Sequence, residues 1–412
     1  MWRSLVAHTH GVRGVAGSNP VIPTNMPNFA LVRFFVPFSI MKTRYFSYFL
    51  FFQVLFACGQ ANVKISTPDH TNYTIEVIVP NLEIPWGMAF LPDNGLLITE
   101  KEGRLIHFQN GKKTIIQNVP NTYVRGQGGL MGIAIHPNFK DNNIIFFTQS
   151  SSIDSDEPGG NTALYSAVLQ DNALQDISLL YKAKPNTKKG LHFGSRVVFD
   201  NDGYLYFTIG DRGNRDVNPQ DLSRDGGKVY RLMDNGEIPS DNPFVDDTSA
   251  KPAVYSYGHR NPQGMTKHPV TGEIWIHEHG PRGGDEINII KSGKNYGWPK
   301  ITYGKNYTGT TITKDKSLPG MEQPLYYWIP SIAPSGMAFV HNSVYEDWNG
   351  SLVVGSLKFN YLERLTLDNN RVINREKIAN EIGRVRDVVL GPDGFLYLAV
   401  ENKGICKIIP YQ

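Results

Sequence analysis

The sequence predicts an all-β protein that forms a single six-bladed β-propeller of four-stranded antiparallel blades. The composition, with 40 Gly, 26 Pro and 20 Tyr in 412 residues, favours turn-rich β-structure over helices. No long stretch carries apolar residues at helical spacing. A hairpin-like unit, in which two apolar alternations flank a turn, recurs six times. This recurrence is typical of propellers, whereas the alternative fold, a two-sheet sandwich, gives no reason for it.

The N-terminal region indicates export. Residues 41–58 combine a basic start, an apolar stretch too short to span a membrane, and Cys58. Because residues 55–58 look like a bacterial lipoprotein cleavage box, we predict a lipid anchor at Cys58 and a periplasmic or cell-envelope location. Ordinary secretion is the alternative. Residues 1–40 would place the basic end of the signal inside the chain, so we expect them to be an unstructured upstream extension, with the true start at Met41.

The folded domain is expected at residues 73–412, after a polar tether at 59–72. The six copies of the repeated unit occupy residues 85–100, 129–149, 194–211, 262–280, 334–356 and 385–401. Each copy begins with a small residue and has a turn rich in Pro, Asp, Asn or Gly, which is hairpin chemistry. Further short strands lie between the copies, for example at 105–108, 229–232 and 362–367.

Charge and cysteine content exclude several classes of protein. The net charge of +3 arises from 41 basic and 38 acidic residues, which argues against nucleic-acid binding by the whole surface. Two cysteines, Cys58 and Cys406, are too few for a disulfide framework.

The repeat predicts a polar cluster at one mouth of the central channel. The first strand of each blade lines the channel, so residues that precede these strands converge at one end. Those positions hold Gln127, His192, Arg196, Arg260, Asn261, Arg384 and Arg386, and Lys358 follows the second strand of the fifth copy. Such a set suits a small polyanion. A flat tricarboxylated quinone with a hard divalent metal fits better than phosphate, because no glycine-rich phosphate cradle is present.

Several motifs resemble those of one enzyme family. They include YGHRNPQGM, EHGPRGGDEINII and GKNYGWP within residues 256–298, together with GQGGLMGIAIHP and GRVRDVVLGPDG. In this order they resemble the soluble sugar dehydrogenases that depend on pyrroloquinoline quinone (PQQ), the glucose/sorbosone dehydrogenase type, and more closely the aldose branch than the glucose enzyme. The resemblance extends from residue 76 to the C-terminus.

The resemblance implies a six-bladed propeller that oxidises an aldose to its lactone with PQQ and calcium. His192 would be the general base, for which an imidazole is suited. The residues that match cofactor-binding positions are Gln127, Arg260, Asn261, Lys358, Arg384 and Arg386. The carbonyls of Gly280 and Pro281 match the ligands of one calcium, and Glu286 with the carbonyl of Tyr296 matches a second. Tyr326 and Trp328 are expected on the substrate side.

The sequence also departs from the glucose enzyme. Leu191 stands where that enzyme has an Asp before its catalytic histidine, so we expect no adjacent carboxylate to tune His192. Ile329 replaces a tryptophan near the sugar, which leaves the preferred sugar open. No dimer-forming features are recognisable, so a monomer is expected, and the residues do not identify the external electron acceptor. His277 and His279 alternate on one strand face as zinc ligands can, but no third ligand is suitably spaced.

The sequence leaves two other functions open. A non-catalytic extracellular propeller that binds a glycan or a protein would be expected to lack the histidine or part of the basic set. A calcium-dependent hydrolase of the lactonase type would carry carboxylates and Asn on the channel axis. The presence of both His192 and the basic residues favours the dehydrogenase.

Overall fold

The computed structural model describes residues 64–66, 72–153 and 157–411. The upstream extension at 1–40, the export signal at 41–58 and the lipid anchor at Cys58 lie outside the described residues. The described residues belong to one compact unit that spans 59–412. Within them, no helix is both long enough and apolar enough to cross a membrane.

The described strands form six sheets arranged as blades. The first two strands are β1 (Lys64–Ser66) and β2 (Tyr73–Pro80). Blade 1 contains β3 (Pro85–Phe90), β4 (Leu96–Glu100), β5 (Arg104–Gln109) and β6 (Lys112–Ile116). Blade 2 contains β7 (Leu130–Ile135), β8 (Ile144–Ser151), β9 (Asn161–Gln170) and β10 (Ala173–Lys182). Blade 3 contains β11 (Val197–Phe199), β12 (Leu205–Ile209), β13 (Lys228–Leu232) and β14 (Val254–Tyr257).

The second half of the ring continues the pattern. Blade 4 contains β15 (Pro262–Lys267), β16 (Ile274–Glu278), β17 (Asp285–Ile289) and β18 (Tyr326–Trp328). Blade 5 contains β19 (Pro334–Phe339), β20 (Leu352–Ser356), β21 (Leu362–Asp368) and β22 (Arg371–Ile378). Blade 6 contains β23 (Val385–Leu390), β24 (Leu396–Val400) and β25 (Gly404–Pro410). Short helices lie at Phe139–Asn142, Asn218–Gln220 and Glu346–Trp348. The predicted six-bladed propeller is confirmed.

Blade 6 receives its fourth strand from the N-terminal side of the chain. Strand β2 pairs antiparallel with β25, with Tyr73 opposite Pro410 and Val77 opposite Cys406. The ring is thus closed by hydrogen bonds between the two ends of the domain. Blade 5 differs from the expected four strands, because β1 adds a fifth in parallel to β22. The segment expected to be a polar tether therefore contains a paired strand.

The innermost strands β3, β7, β11, β15, β19 and β23 contact one another in sequence around the channel. Their close approach explains the small residue near the start of each copy. A Cβ at Gly132 would lie 2.1 Å from the carbonyl oxygen of Ser195 in the next blade, and one at Gly336 would lie 2.3 Å from Oδ1 of Asp387. Apolar side chains fill the space between blades, as where Trp275 of blade 4 packs edge-on against Phe339 of blade 5.

Candidate active site

Two adjoining cavities open at the channel mouth where the innermost strands begin. The larger, of about 790 Å³, is lined by residues that include Gln127, Lys358, Arg384 and Arg386. The smaller, of about 230 Å³, is lined by residues that include His192, Asp211 and Arg260. Pro281 and Tyr307 line both. The fold therefore brings six of the eight predicted side chains to one end of the channel. Of the other two, Asn261 is buried and lines neither cavity, and Arg196 is diverted.

Arg196 forms an ion pair inside the channel. Its Nη1 lies 2.8 Å from Oδ1 of Asp387, and its Nε donates to the carbonyl of Gln263 at 2.7 Å. Both side chains of the pair are buried, and they come from blades 3 and 6, which face each other across the channel. The expectation that Arg196 joins the mouth cluster is therefore wrong, because a carboxylate within the channel already holds it.

His192 lies in the loop that enters β11, in a left-handed backbone conformation with φ of 56°. Its backbone N–H donates to Oε1 of Gln127 at 2.8 Å. Its Nδ1 lies 2.6 Å from Oδ1 of Asp211. A carboxylate therefore does accompany His192: position 191 is Leu, but Asp211 reaches the ring from the loop after β12.

The Asp211 carboxylate is itself held on several sides. Its Oδ2 accepts a hydrogen bond from Nε1 of Trp298 at 2.9 Å, and its Oδ1 accepts one from the backbone N–H of Gly213 at 2.7 Å. The backbone N–H of Asp211 donates to the carbonyl of Arg260 at 2.7 Å. These bonds fix the carboxylate, which in turn fixes the imidazole ring.

The surroundings favour a neutral His192 beside an ionised Asp211. Burial lowers the pKa of His192 more than the hydrogen bond to Asp211 raises it, and the charge of Arg260 lowers it further. Burial alone would raise the pKa of Asp211, but the hydrogen bond and charge of His192, the charge of Arg260 and the hydrogen bond from Gly213 together bring that pKa below its usual value. A neutral ring that donates from Nδ1 to Asp211 leaves the Nε2 lone pair free to accept a proton.

The larger cavity carries a positive charge. Arg384 and Arg386 share one partner, Glu401, with Nε–Oε distances of 2.7 and 2.5 Å. Lys358 is exposed, forms no ion pair among the described residues, and lies with Nζ 4.8 Å from the centroid of the Phe359 ring. Arg282 also lines this cavity, and four cations against one carboxylate leave it suited to an anion.

Two of the predicted amides hold the backbone near this cavity. Gln127 uses its side-chain oxygen to hold the backbone of His192. Asn261 is buried, and its Oδ1 accepts from the backbone N–H of Gly194 at 3.1 Å. Its Nδ2 has no hydrogen-bond partner within the described part of the chain. Such an orphaned buried donor is costly unless a ligand or water satisfies it.

The Gly280–Pro281 turn is held by a buried acid. The Asp285 carboxylate accepts hydrogen bonds from the backbone N–H groups of Gly280 at 2.7 Å, Ile332 at 2.7 Å and Ala333 at 2.9 Å, and from the hydroxyl of Ser331 at 2.7 Å. Burial nevertheless raises the pKa of Asp285 to about 6. The turn and the entry loop of blade 5 are therefore joined at the cavity wall.

The residues of the expected second calcium site lie around a separate small space. Glu286 and Tyr296 line it together with Glu278. Burial and the nearby charge of Glu278 raise the pKa of Glu286 well above its usual value. Glu278 accepts from Nδ1 of His259 at 2.9 Å. Among the described residues no three His, Cys, Asp or Glu side chains form a metal cluster, so a cation held here would need carbonyl oxygens as well.

Tyr326 and Trp328 belong to the core. They are 4% and 1% exposed and pack between blades 4 and 5. Nε1 of Trp328 donates to Oε2 of Glu363 at 3.0 Å. The prediction that they face the substrate is wrong, because the alternation of β18 turns both side chains into the space between blades. Ile329, the next residue, is 62% exposed.

His277 and His279 connect two blades. Each donates from Nε2 to a carbonyl at the start of blade 5, His277 to Ser335 and His279 to Pro334. Burial lowers the pKa of His279 to about 3, so the ring stays neutral near neutral pH. His277 in β16 and His279 just after it therefore contribute to the packing between blades 4 and 5.

The comparisons with known proteins identify the family of this chain. The family model for Glucose / Sorbosone dehydrogenase matches residues 82–408. The chain belongs to the glucose/sorbosone dehydrogenase family. It is 41% identical over 345 residues to the aldose sugar dehydrogenase YliI of Escherichia coli, covering 82% of this chain and 92% of that protein. This member of the family is therefore a sugar dehydrogenase, an oxidoreductase.

Two solved structures extend the comparison. The apo-form of the soluble aldose sugar dehydrogenase from E. coli superposes with a TM-score of 0.79 at 39% identity, over 82% of this chain and 99% of that one. The PQQ-bound aldose sugar dehydrogenase from Streptomyces coelicolor superposes with a TM-score of 0.68 at 26% identity, over 84% and 99%. The family that the motifs predict is thereby confirmed.

Proposed function

We propose that this dehydrogenase oxidises aldoses to lactones with PQQ and calcium, and that His192 is the general base. The observation that carries the proposal is the Asp211–His192 pair, which faces a cavity adjoining the cation-lined one. The PQQ of the S. coelicolor relative and the aldose in the names of both relatives support the choice of cofactor and substrate.

The larger cavity fits a tricarboxylated quinone. Lys358, Arg384 and Arg386 offer positive charge, and Nδ2 of Asn261 is a buried donor without a partner. Gln127 and Arg260 complete the set that would hold the cofactor. PQQ, when bound, supplies the acceptor for the two electrons and the hydrogen that leave the sugar carbon.

The chain's own part in the reaction is to move a proton. Nε2 of His192 accepts the proton of the anomeric hydroxyl, and the ring becomes an imidazolium. The Asp211 carboxylate stabilises that charge and keeps Nδ1 protonated, so the lone pair stays on Nε2. Trp298 and Gly213 hold the carboxylate while the charge develops. The bond from the backbone N–H of His192 to Gln127 keeps the ring at the wall of the smaller cavity.

Calcium would be held by main-chain oxygens at the cavity wall. The carbonyls of Gly280 and Pro281 suit this ion, which accepts flexible all-oxygen coordination. Arg260 donates to the Gly280 carbonyl at 3.2 Å, and the second lone pair of that oxygen remains available. A second calcium at Glu286 and the Tyr296 carbonyl would offset the charge that the Glu278–Glu286 pair otherwise buries.

Reconstitution tests the proposal. Protein purified with a chelator is titrated with PQQ and calcium, and its absorbance and the reduction of an artificial dye are followed with a panel of aldoses. We expect activity only when both are present, and its loss in His192→Ala. No absorbance change and no activity at saturating PQQ would contradict the proposal. Sugar binding without oxidation would favour a non-catalytic propeller instead.

We also propose export of this dehydrogenase to the periplasm or cell envelope, as a monomer with a lipid at Cys58. The basic and apolar residues of 41–58 support this location. The mass of the mature N-terminus tests the lipid, and light scattering of the purified protein tests the oligomeric state. An unmodified N-terminus beyond Cys58, or a dimer, would overturn the corresponding part.

A further inference from the structure

A small hairpin carries an exposed aromatic ring over the site. Lys305 and Thr311 pair in an antiparallel bridge, and the backbone N–H of Asn306 donates to the carbonyl of Thr310 at 2.9 Å. Near the tip lies Tyr307, which is 73% exposed and lines both cavities. A large ring so exposed at the junction of two cavities is placed to contact a ligand.

The hairpin is tied to both loops that form the site. Nη1 of Arg215 donates to Oδ1 of Asn306 at 2.6 Å, which connects the hairpin to the loop of Asp211. Nη1 of Arg282 donates to the carbonyl of Tyr307 at 3.4 Å, which connects it to the Pro281 turn. The backbone at Tyr307 is therefore held in position before any ligand binds, which reduces the entropy lost on binding.

The polar groups beside Tyr307 are those that bind hydroxyls. Asn214, Arg215, Asp216 and Asn306 line the smaller cavity with His192. The side chain of Asp216 is 77% exposed and Nε of Arg215 lies 3.2 Å from its Oδ1. Planar carboxylate, guanidinium and amide groups form paired hydrogen bonds with neighbouring hydroxyls, and an aromatic ring covers a C–H surface. A pyranose ring presents both.

We propose that Tyr307 is a specificity-determining residue whose ring packs against the C–H face of an aldopyranose. In this arrangement the C1 hydroxyl meets Nε2 of His192, and Arg215 and Asp216 bind hydroxyls further round the ring. The inference deepens the proposed function and rests on it. Because the contact is equal before and during the chemical step, it contributes to KM and leaves kcat unchanged.

A second role for the ring has to be separated from this one. Tyr307 also lines the cofactor cavity, so it would equally contact a cofactor bound there. A cofactor contact predicts weaker PQQ binding when the ring is removed, whereas a sugar contact predicts weaker sugar binding at saturating PQQ.

The test uses the full chain loaded with PQQ and calcium, with glucose as the probe sugar. Tyr307→Ala is expected to raise KM about 10-fold, with kcat and the Kd for PQQ within about twofold of the unmodified protein. Tyr307→Phe keeps the ring and should retain the original KM. Asn306→Ala, which frees the hairpin, should raise KM by a smaller factor. Tyr411→Ala removes a tyrosine that is 64% exposed and lies outside both cavities, and serves as the control.

The outcomes are distinct. If Tyr307→Ala leaves KM unchanged, or if Tyr307→Phe raises it as much, the inference is overturned while the proposed function stands. If Tyr307→Ala weakens PQQ binding and leaves KM at saturating PQQ unchanged, the ring covers the cofactor and the inference is again overturned. If the unmodified protein oxidises no aldose, the proposed function fails and this inference fails with it.

Discussion

Oδ1 of Asp211 lies 2.6 Å from Nδ1 of His192, although the two residues are 19 positions apart in the chain. Asp211 leaves the second strand of blade 3 as His192 approaches the first, so the pair is built by one hairpin. Trp298 reaches the same carboxylate from blade 4. A base, a carboxylate that orients it and a residue that fixes the carboxylate therefore come together at the channel mouth.

Removing the imidazole is expected to lower kcat by about 10²- to 10⁴-fold, because the proton of the anomeric hydroxyl then has no acceptor. His192→Asn is a better variant than His192→Ala, since Asn tolerates the positive φ at this position. Steady-state dye reduction measures the loss. The Kd for PQQ should stay close to its original value, and a variant that keeps full kcat would remove His192 from the mechanism.

The decline of activity at acidic pH should report the protonation of His192. Its pKa is lowered by burial, so the neutral base persists below the usual value of 6.5, and activity declines only at more acidic pH. Asp211→Asn removes the charge that raises this pKa, so the decline should move to still lower pH while kcat falls. Profiles of kcat/KM against pH for both proteins provide the measurement. A decline that moves to higher pH in the variant would contradict this assignment.

Lys358→Ala should weaken PQQ binding by about 10-fold at low salt, because Lys358 is an exposed cation of the cavity that forms no ion pair among the described residues. Added salt should reduce the difference, since the side chain is exposed to solvent. Absorbance titration gives the Kd. Lys140→Ala, at an exposed position outside the cavities, is the control, and an equal effect of both variants would refute a specific contact.

Asp285→Ala should destabilise the fold by about 3 kcal/mol or more, because three buried backbone N–H groups and one hydroxyl lose their acceptor. Asp285→Asn, which keeps one oxygen, should cost less. Urea unfolding measures the change in the free energy of unfolding. The exposed Asp246→Ala should stay within about 0.5 kcal/mol of the original protein. Similar changes in the free energy of unfolding for Asp285→Ala and Asp246→Ala would show that the Asp285 carboxylate does not hold the turn.

Trp328→Phe should lower the free energy of unfolding by about 1–3 kcal/mol, since a buried oxygen of Glu363 loses the nearer of its two donors. The same variant should leave KM for every oxidised aldose unchanged, because Trp328 lies between blades. A raised KM with unchanged stability would show that Trp328 contacts the substrate.

The repeated hairpins predict the propeller because alternation and turn chemistry are local properties of the sequence. The innermost strands begin close to the starts of the six copies, for example at Pro262 and Pro334. The pairing of β1 with β22 could not be predicted, since a strand of three residues is too short to show an alternation. Its hydrogen bonds depend on where blade 5 leaves an open edge.

Site residues could be predicted where the repeat sets their positions. They were harder to predict where the pairing register of a hairpin decides which side chains meet. Lys358, Arg384 and Arg386 reach one cavity as expected. Asp211 was not predicted, because it lies 19 positions from His192 in the chain and not beside it. The register of β11 and β12, with Val197 opposite Phe207, continues outward to bring His192 beside Asp211. That register was the available signal. Tyr307 had none, since its place depends on the Arg215–Asn306 bond between distant loops.

The pairing of β2 with β25 has a consequence for synthesis. Strand β2 leaves the ribosome before the blades, but its partner is translated after all other described strands. Until β25 is in place, β2 has no partner strand and blade 6 keeps an open edge, which invites pairing with a neighbouring molecule. Chaperone protection during this interval, or a slow final step of refolding, should therefore limit the yield of active enzyme more than the stability of the finished ring does.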